Sequence, residues 1–560
     1  MRSCSEERAM DLSVYLPPKA KSLVEFGCGS GEMGRSFKRI APFCRYIGVE
    51  KNAALAQEAS AHLDEVVTAN AADVSFEEGD EVDCLVYHSG FLSSSESQRM
   101  LREHAVHVSS EGALVFFVEN SAYFRRVLSL WRGMDLPPAS WTASEAVAQL
   151  TKAGLFVGRV LPVEEEEDDA LFSGEEMQRF LSAAAVLAGC ATEEFDDTWF
   201  RSRFFVVYAY AAAPPERLLV RTILGQDGRT SAKYRVLDPD AFCRTLPGFF
   251  ARQESNIELA AAPQGEISVL LCQRLRLGNA AWEQLARFSL EAGHLLVAEW
   301  DDDLRVFGMD EAERALLFAG AHAVQVSTEV LAADVRTYNP HVFVMENQLA
   351  RLPEPRIYDD HAPVTIFFGA LNRSADAAKI LPALNEVLRR YAGSVRVKVT
   401  ADAAFFARLA TNAKDLIAEG ADADGVVPYE VYERELRTAD IALLPLDDTP
   451  FHRRKSDLKF LECAGNGVVA LASPVVYGDT VVDGRTGMIF RSGEEFSEKL
   501  ARLIEDRALR RRIAAAAYDY VKENRLLSAH YEERVQFYRS LAAQKAALDE
   551  QLRTRLDVWK

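Results

Sequence analysis

Short apolar runs alternate with helical patterns along most of this 560-residue chain. Uninterrupted apolar runs of this kind are typical of parallel strands that helices cover on both faces. One series of runs extends from about residue 20 to 163, a second from about 217 to 350, and a third begins near 364. The runs of the first series are 22–26, 46–49, 83–87 and 113–118. We therefore predict the α/β fold class, with several parallel sheets.

Breaks in composition separate the three series. An acidic run at 164–169 and the pair Pro214-Pro215 enclose a connecting segment, and a proline-rich stretch at 352–355 divides the second series from the third. Residues 493–560 have mostly helical patterns. The predicted domains are 1–163, an acidic linker with a connecting helix and strand at 164–214, two domains at 215–355 and 356–527, and a helical extension at 528–560.

Composition narrows the class of protein further. The chain is too long for one core, and its 49% hydrophobic and 26% charged residues are typical of globular proteins. No apolar run approaches the ~20 residues of a membrane span, and the first residues lack the apolar centre of a signal peptide. Eight scattered cysteines without CxxC pairs or Cys/His ligand spacing favour reduced thiols. We expect a cytoplasmic protein with no transmembrane segment and no metal.

The charge balance bears on partners. The chain has 64 Lys and Arg against 84 Asp and Glu, a formal net charge of −20. Such a charge opposes binding to a phosphate backbone, so we expect no nucleic-acid partner. A local basic groove is still compatible with a small phosphorylated ligand. The oligomeric state is left open.

The first predicted strand ends in a glycine-rich turn. Glu25 is followed by Gly27, Gly29 and Gly31 at alternate positions, which lets the backbone turn sharply and approach a ligand closely. About 20 residues later the second strand ends at Glu50, where a carboxylate can accept hydrogen bonds from ribose hydroxyls. A glycine turn alone fits dinucleotides as well, or an unrelated α/β domain.

This pattern resembles class I S-adenosylmethionine-dependent methyltransferases over about residues 15–163. The resemblance implies a Rossmann-like domain with S-adenosylmethionine as cofactor. The residues that it places at the cofactor are Glu25, Gly27, Gly29, Gly31, Glu50 and, near the adenine, Asp73. Many relatives carry Leu-Glu-His after the fourth strand, where this chain has a segment that begins with His88. His88 is therefore a candidate general base, and a structural role for it is the alternative.

Residues 455–462, Lys-Ser-Asp-Leu-Lys-Phe-Leu-Glu, combine cations with a predicted helix start near Ser456. Free N–H groups and the helix dipole hold anionic phosphates at such a start. Lys455 and Lys459 add cationic donors, and Glu462 can accept from sugar or ribose hydroxyls one to two turns later. The alternative is a solvated amphipathic helix with an ordinary Lys/Glu pair.

The second and third series together resemble GT-B-fold glycosyltransferases of the group 1 type over about residues 215–545. The segments that carry the resemblance are 368–373, 427–430, 439–445, 455–462 and 483–488. It implies two Rossmann-like domains that face each other across a cleft and a nucleotide-sugar as donor. Many retaining members have a second glutamate where this chain has Arg454, which we interpret as a subfamily difference.

The resemblance also implies roles for particular residues. Lys455 and Arg373 would hold the donor diphosphate, and Glu462 would contact the donor ribose. The further candidate substrate-binding residues are Ser456, Lys459, Tyr429, Asn372 and Gly369.

An acidic stretch, Glu-Trp-Asp-Asp-Asp at 299–303, follows an apolar run of the facing domain. Asp302 is a candidate catalytic residue there, through contact with acceptor or donor or as a base. A solvated loop cap is an equal alternative, and a DxD-type metal site conflicts with the GT-B pattern. His322 can also reach the cleft, although a structural role is the more favoured interpretation.

Taken together, these patterns predict a bifunctional transferase of polysaccharide biosynthesis. It would transfer a sugar from a nucleotide-sugar to a glycan or glycosylated acceptor and methylate a related substrate. One alternative is a glycosyltransferase whose methyltransferase-like domain only binds a nucleoside or scaffolds an assembly. A second is an active methyltransferase that carries a sugar-binding but inactive GT-B module. The donor sugar, the acceptor, the stereochemical outcome and the methylated atom are left open.

Overall fold

The computed structural model describes most of the chain. The described residues are 11–92, 95–131, 140–164, 177, 179, 198–225, 231–254, 261–358, 363–369, 373–400, 402–422 and 425–558. They form two compact units, Met1–Glu216 with Arg244–Phe249 and Arg217–Cys243 with Phe250–Lys560. The first unit has one sheet and the second has two, which confirms the α/β fold class.

The sheet of the first unit has eight strands in the order β3-β2-β1-β4-β5-β8-β7, with β6 beside β5. The strands are β1 (Ser22–Phe26), β2 (Arg45–Val49), β3 (Glu65–Val67), β4 (Val82–His88), β5 (Val108–Asn120), β6 (Ser140–Trp141), β7 (Phe156–Glu164) and β8 (Ser202–Tyr210). Strands β1 to β5 are parallel, whereas β8 runs antiparallel to both β5 and β7. β8 comes from the segment 164–214, so this sheet extends past residue 163.

Helices flank this sheet because its central strands are apolar on both faces, with Phe26, Tyr87 and Phe116 fully buried. The helices are α1 (Glu32–Ile40), α2 (Ala53–Ala59), α3 (Ser95–Ala105), α4 (Phe124–Trp131), α5 (Ala143–Lys152) and α6 (Thr198–Arg201). Short 3₁₀ turns occupy Leu12–Tyr15, Ala71–Asp73 and Ser89–Leu92. The ends of β1, β2 and β4 thus lie side by side at one edge.

The first sheet of the second unit has the order β10-β9-β11-β12-β13-β14. Its strands are β9 (Leu218–Leu224), β10 (Phe249–Glu254), β11 (Ile267–Gln273), β12 (Leu295–Trp300), β13 (Ala323–Val326) and β14 (Val342–Val344). Its helices are α7 (Asp238–Cys243), α8 (Asn279–Ala292), α9 (Glu311–Ala319) and α10 (Glu329–Val335). A π-helix at Lys233–Leu237 precedes α7, and a 3₁₀ turn at Leu304–Phe307 follows β12.

The second sheet of this unit is parallel throughout, in the order β17-β16-β15-β18-β19-β20. Its strands are β15 (Val364–Phe368), β16 (Val395–Thr400), β17 (Lys414–Ile417), β18 (Ile441–Leu444), β19 (Val469–Ala472) and β20 (Met488–Ile489). Its helices are α11 (Ser374–Ala378), α12 (Leu381–Arg390), α13 (Ala403–Ala407), α14 (Tyr429–Arg437), α15 (Leu458–Gly465), α16 (Gly493–Glu505) and α17 (Arg507–Asn524). Further 3₁₀ turns occupy His452–Arg454, Tyr477–Asp479 and Leu527–Ala529.

Two C-terminal helices, α18 (Tyr531–Ala543) and α19 (Lys545–Asp557), return to the half of the unit that contains β9 to β14. Leu552 and Leu556 of α19 are part of the same buried cluster as residues of β12 and β13. His322 contacts this region and does not face the cleft, because its Nε2 lies 3.0 Å from Asp549 and its Nδ1 accepts from the amide of Leu296 at 2.8 Å. Burial lowers the pKa of His322 to about 4, as expected for a neutral structural histidine.

Candidate functional site

In the first unit, the glycine turn connects β1 to α1. Gly27, Gly29 and Gly31 have φ values of 84°, 57° and 84°, a region that favours glycine. The amides of Gly27 and Cys28 donate to the carbonyl of Val49 at 2.7 and 3.2 Å. The turn is therefore fastened to the end of β2, next to Glu50.

Glu50 is oriented by backbone amides. It is 8% exposed, its Oε2 accepts from the amide of Gly29 at 3.1 Å, and its Oε1 accepts from the amide of Asn52 at 2.8 Å. A carboxylate offers about four lone-pair sites, so two acceptor positions stay available for ligand hydroxyls. Backbone amides therefore fix the orientation of this carboxylate.

A cavity of about 470 Å³ opens at the ends of β1, β2 and β4, within the range of small-molecule sites. Gly27, Glu50, Asn70, His88 and Phe91 contribute to its lining. The structure thus brings together the predicted glycine turn, the predicted ribose acid and the predicted base.

Asp73 lies beside this cavity and does not line it. Its carboxylate accepts from the side-chain amide of Asn70 at 3.1 Å, and the residue is exposed. Asn70 and Ala71 line the cavity at this side.

Glu25 and His88 form a pair that the motifs did not predict. Glu25 is 2% exposed, its Oε2 accepts from the hydroxyl of Tyr46 at 2.8 Å, and its Oε1 lies 3.0 Å from Nε2 of His88. The strand register explains this contact. Glu25 is paired with Val86 across β1 and β4, and His88 lies two residues further on the same face.

The second unit has two halves, one with strands β9 to β14 and one with strands β15 to β20. Lys455 of the second half forms an ion pair with Asp302 of the first, with Nζ 3.1 Å from Oδ2. Arg274 contacts the same carboxylate at 3.7 Å and Asp301 at 2.5 Å. Burial lowers the pKa of Lys455, Asp302 opposes this change, and the nearby charge of Arg373 adds to it. Lys455, which we predicted to hold the diphosphate, and Asp302, the candidate catalytic residue, are therefore direct partners.

Arg373 belongs to a second polar group, which lies in the same half of the unit as Lys455. Its Nη1 lies 3.2 Å from Oδ2 of Asp376 and donates to Nε2 of His452 at 2.7 Å. His452 in turn donates from Nδ1 to the carbonyl of Asp447 at 2.8 Å, which makes it a neutral acceptor for Arg373. His452 was not predicted, although it closes the polar loop before Lys455.

Helix α15 begins at Leu458, two residues after the predicted start at Ser456. Its N-cap is Asp457, which accepts two bonds from Arg525 at 2.7 and 3.0 Å and one from Thr480 at 2.8 Å. Ser456 accepts from the side-chain amide of Asn347 at 2.8 Å. The negative charge at this helix start is thus compensated by an arginine that follows α17.

Glu462 is 2% exposed, and protein donors already occupy both of its oxygens. Tyr234 donates to Oε1 at 2.8 Å, whereas Tyr432 and Lys459 donate to Oε2 at 3.0 and 2.9 Å. Burial, and after it the charge of Glu462, raises the pKa of Tyr234 and Tyr432 well above the ordinary value, so both remain donors. Glu462 is therefore less open than its predicted contact with ribose implied.

The other predicted substrate-binding residues surround this cluster in part. The hydroxyl of Tyr429 lies 2.9 Å from that of Tyr234, and Gly369 approaches Tyr432 so closely that a Cβ would lie 2.7 Å from its ring. Asn372 lies outside the described residues.

Tyr234 belongs to the π-helix Lys233–Leu237, an element that is rare and frequently found at functional sites. The next residue, Arg235, is fully buried against Glu299 at 2.7 Å and donates to Asn347 at 3.0 Å. No local pattern in the sequence indicated these contacts, because their partners are distant in the chain.

The acidic stretch at 299–303 is paired with basic side chains and is not a solvated loop. Glu299 pairs with Arg235, Asp301 with Arg274, Asp302 with Lys455 and Asp303 with Arg305. Across the described part of the chain, no group of three or more His, Cys, Asp or Glu residues could hold a metal ion. The same residues include no helix long and apolar enough to cross a membrane.

Two family models match separate segments of the chain. Residues 24–116 match a family described as "Methyltransferase domain", and residues 383–540 match one described as "Glycosyl transferase-like". These matches confirm both resemblances that the motifs indicated. A comparison with curated proteins found no match.

A comparison with solved structures also found similar chains. HepE from Anabaena, solved with UDP and glucose, is 11% identical and has a TM-score of 0.40; the alignment covers 59% of this chain and 100% of HepE. TarM is 10% identical, with a TM-score of 0.37 and coverage of 48% and 54%, so this chain spans about half the length of TarM. The plantazolicin methyltransferase BpumL, solved with SAH, is 13% identical, with a TM-score of 0.25 and coverage of 35% and 81%.

Proposed function

We propose that this chain, which joins a methyltransferase domain to a GT-B glycosyltransferase domain, is a bifunctional transferase. One activity transfers a sugar from a nucleotide-sugar to a glycan or glycosylated acceptor. The other methylates a related substrate with S-adenosylmethionine. Free, buried cysteines among the described residues fit the further proposal of a cytoplasmic protein.

The observation that carries the glycosyl-transfer proposal is the pair of cations Lys455 and Arg373. Lys455 has only 21% of its side chain exposed, and Arg373 is near enough to lower its pKa. A cation removed from water needs compensating negative charge. Asp302 supplies this charge through its ion pair with Lys455, and in our proposal the donor diphosphate takes its place on binding.

Fixed cations at this position lower the barrier to glycosyl transfer. Negative charge accumulates on the departing diphosphate as the glycosidic bond breaks, and preorganised cations stabilise that charge more than they stabilise the intact donor. Lys455 and Arg373 are the catalytic residues of this step in our proposal. Asp302 returns to Lys455 when the nucleotide leaves.

Glu462 contributes to donor binding through the acceptor capacity that its neighbours leave. Tyr234, Tyr432 and Lys459 use three of about four lone-pair sites and leave one. In our proposal a ribose hydroxyl of the donor occupies that site. Tyr234 then positions Glu462 from the opposite half of the unit.

The methyltransferase cavity fits a nucleoside-containing cofactor. Glu50 presents two open acceptor positions, and Gly27 leaves the turn free of side chains beside the cavity. When bound there, S-adenosylmethionine supplies an electrophilic methyl group. Glu50 binds the ribose, and the glycine turn allows the backbone to approach the cofactor.

A thermal-shift screen with nucleotide-sugars, followed by an assay for release of free nucleotide, tests the glycosyltransferase. We expect at least one nucleotide-sugar to stabilise the wild type, and we expect Lys455→Ala to release free nucleotide from it far more slowly than the wild type and the control Lys398→Ala do. Lys398 is a suitable control because its side chain is 16% exposed and forms a comparable ion pair with Glu435. Equal rates of nucleotide release by all three proteins contradict the role of Lys455.

Calorimetric titration with S-adenosylmethionine tests the proposed methyltransferase. Binding that Glu50→Ala weakens supports the proposal, whereas an absence of binding to the wild type leaves only the scaffold function for this domain.

A further inference from the structure

His88 differs from the buried histidines His104 and His322 in its hydrogen bonding. His104 uses Nδ1 with the hydroxyl of Tyr87 at 2.9 Å and Nε2 with the carbonyl of Val74 at 3.2 Å. His322 likewise engages both ring nitrogens. The Nε2 of His88 contacts Glu25, whereas its Nδ1 makes no hydrogen bond within the described part of the chain. One ring nitrogen therefore remains available.

The surroundings of His88 place its ring at a ligand-sized cavity. The side chain is 35% exposed and lines the cavity that also contains Glu50. Its ring stacks on Phe117 with centroids 5.9 Å apart, and a Cβ on Gly27 would lie 3.8 Å from its Cδ2. The ring is thus held against the glycine turn on one side and the sheet on the other.

Glu25 determines which nitrogen carries the proton. An ionised carboxylate has only acceptor sites, and a buried one needs a donor at each oxygen. Tyr46 serves Oε2 at 2.8 Å, so the donor to Oε1 at 3.0 Å is Nε2–H of His88. Neutral imidazole with a proton on Nε2 has its lone pair on Nδ1.

We infer that Glu25 fixes His88 as the general base of the methyltransferase, so that the methylated group is a hydroxyl that gives up its proton on attack. This inference rests on the proposed methyltransferase function. The acceptor O–H proton moves to Nδ1 of His88, and the acceptor oxygen forms the new bond to carbon. Bound S-adenosylmethionine supplies that methyl group, and the S–CH₃ electron pair stays on sulfur as the neutral thioether S-adenosylhomocysteine. Glu25 is a positioning residue, because it acts through His88.

Ring-¹⁵N NMR of histidine-labelled full-length protein tests the tautomer, with His88→Asn used to assign the signals. We expect wild-type His88 to have its proton on Nε2, and Glu25→Leu to shift both ring signals toward a mixture of tautomers. Tyr46→Phe is the matched control, since it removes the other bond to Glu25 and should leave the His88 signals unchanged. A proton on Nδ1 in the wild type, or signals that Glu25→Leu does not shift, overturns the inference.

Chemical acylation with diethyl pyrocarbonate tests the direction of the free nitrogen. The reagent attacks unprotonated imidazole nitrogen, so S-adenosylhomocysteine should slow modification of His88 and not that of His62. Equal modification rates of His88 with and without S-adenosylhomocysteine overturn the inference.

Titration with S-adenosylmethionine separates this inference from the proposed function. If wild-type His88 has its proton on Nδ1 and Glu25→Leu still binds S-adenosylmethionine, only the assignment of His88 as general base is rejected. A wild type that does not bind S-adenosylmethionine rejects the function itself.

Discussion

The two candidate carboxylates, Glu50 in the first unit and Glu462 in the second, are held in different ways. Glu50 accepts from two backbone amides, those of Gly29 and Asn52. Glu462 accepts from three side chains, and one of them, Tyr234, is 228 residues away in the chain. The local path of the backbone determines the orientation of Glu50. The orientation of Glu462 depends on contact between the two halves of its unit.

This difference has a physical consequence for each site. Backbone amides are present whatever the side chains are, so a glycine turn beside a strand end is enough to orient Glu50. Side-chain networks are cooperative, and removal of one member leaves the others poorly satisfied. We therefore expect substitutions near Glu50 to have separate effects and those near Glu462 to have coupled effects.

The largest expected effect comes from Lys455, the cation that links the halves of the second unit. Lys455→Ala should lower kcat for glycosyl transfer about 10²–10³-fold, roughly 3–4 kcal/mol, because it removes a fixed charge from the departing diphosphate. The donor KM should change far less. Steady-state kinetics of nucleotide release measures both constants, with Lys398→Ala as the control. Near-normal kcat in Lys455→Ala would mean that the diphosphate is held elsewhere.

A smaller effect is expected at Glu50. Glu50→Ala removes charged hydrogen bonds to ribose and should weaken binding of S-adenosylmethionine by about 1–3 kcal/mol. Calorimetric titration gives the affinity, and Glu58→Ala, a change at an exposed acid of α2, provides the control. Equal affinity in wild type and Glu50→Ala would remove Glu50 from the cofactor site.

The variant Tyr234→Phe tests the coupling around Glu462 with a smaller expected effect. Tyr234→Phe removes one hydrogen bond to Glu462 and should raise the donor KM by the equivalent of about 0.5–1.5 kcal/mol, with kcat little changed. Tyr432→Phe should act in the same direction. The double variant should lose less than the sum of the two, because both hydroxyls position one carboxylate. Strictly additive losses would contradict a shared role.

The smallest effect concerns the glycine turn. Gly29 and Gly154 both have positive φ and open space around a Cβ, so substitution of either by Ala should cost stability by about 1 kcal/mol from backbone strain. Only Gly29→Ala should also weaken binding of S-adenosylmethionine, because strain at residue 29 displaces the backbone amide that donates to Glu50. Thermal melts with and without the cofactor distinguish the two. Equal cofactor-induced stabilisation of both variants would exclude Gly29 from the site.

The same contrast explains what the sequence could predict. The α/β class and both family resemblances are confirmed, because apolar runs and short motifs depend on neighbouring residues. The antiparallel insertion of β8 between β5 and β7 was not predicted, since strand order depends on long-range pairing. The pairs Lys455–Asp302 and Tyr234–Glu462 join residues more than 150 positions apart. No local spacing encodes them.

In our proposal, one chain carries two transferase sites that work independently. The most direct measurement combines S-adenosylmethionine titration and nucleotide-sugar turnover on wild type, Glu50→Ala and Lys455→Ala. We predict that Glu50→Ala loses cofactor affinity and keeps glycosyl transfer, while Lys455→Ala loses glycosyl transfer and keeps cofactor affinity. A variant that loses both properties, or a wild type that lacks either one, would contradict the claim.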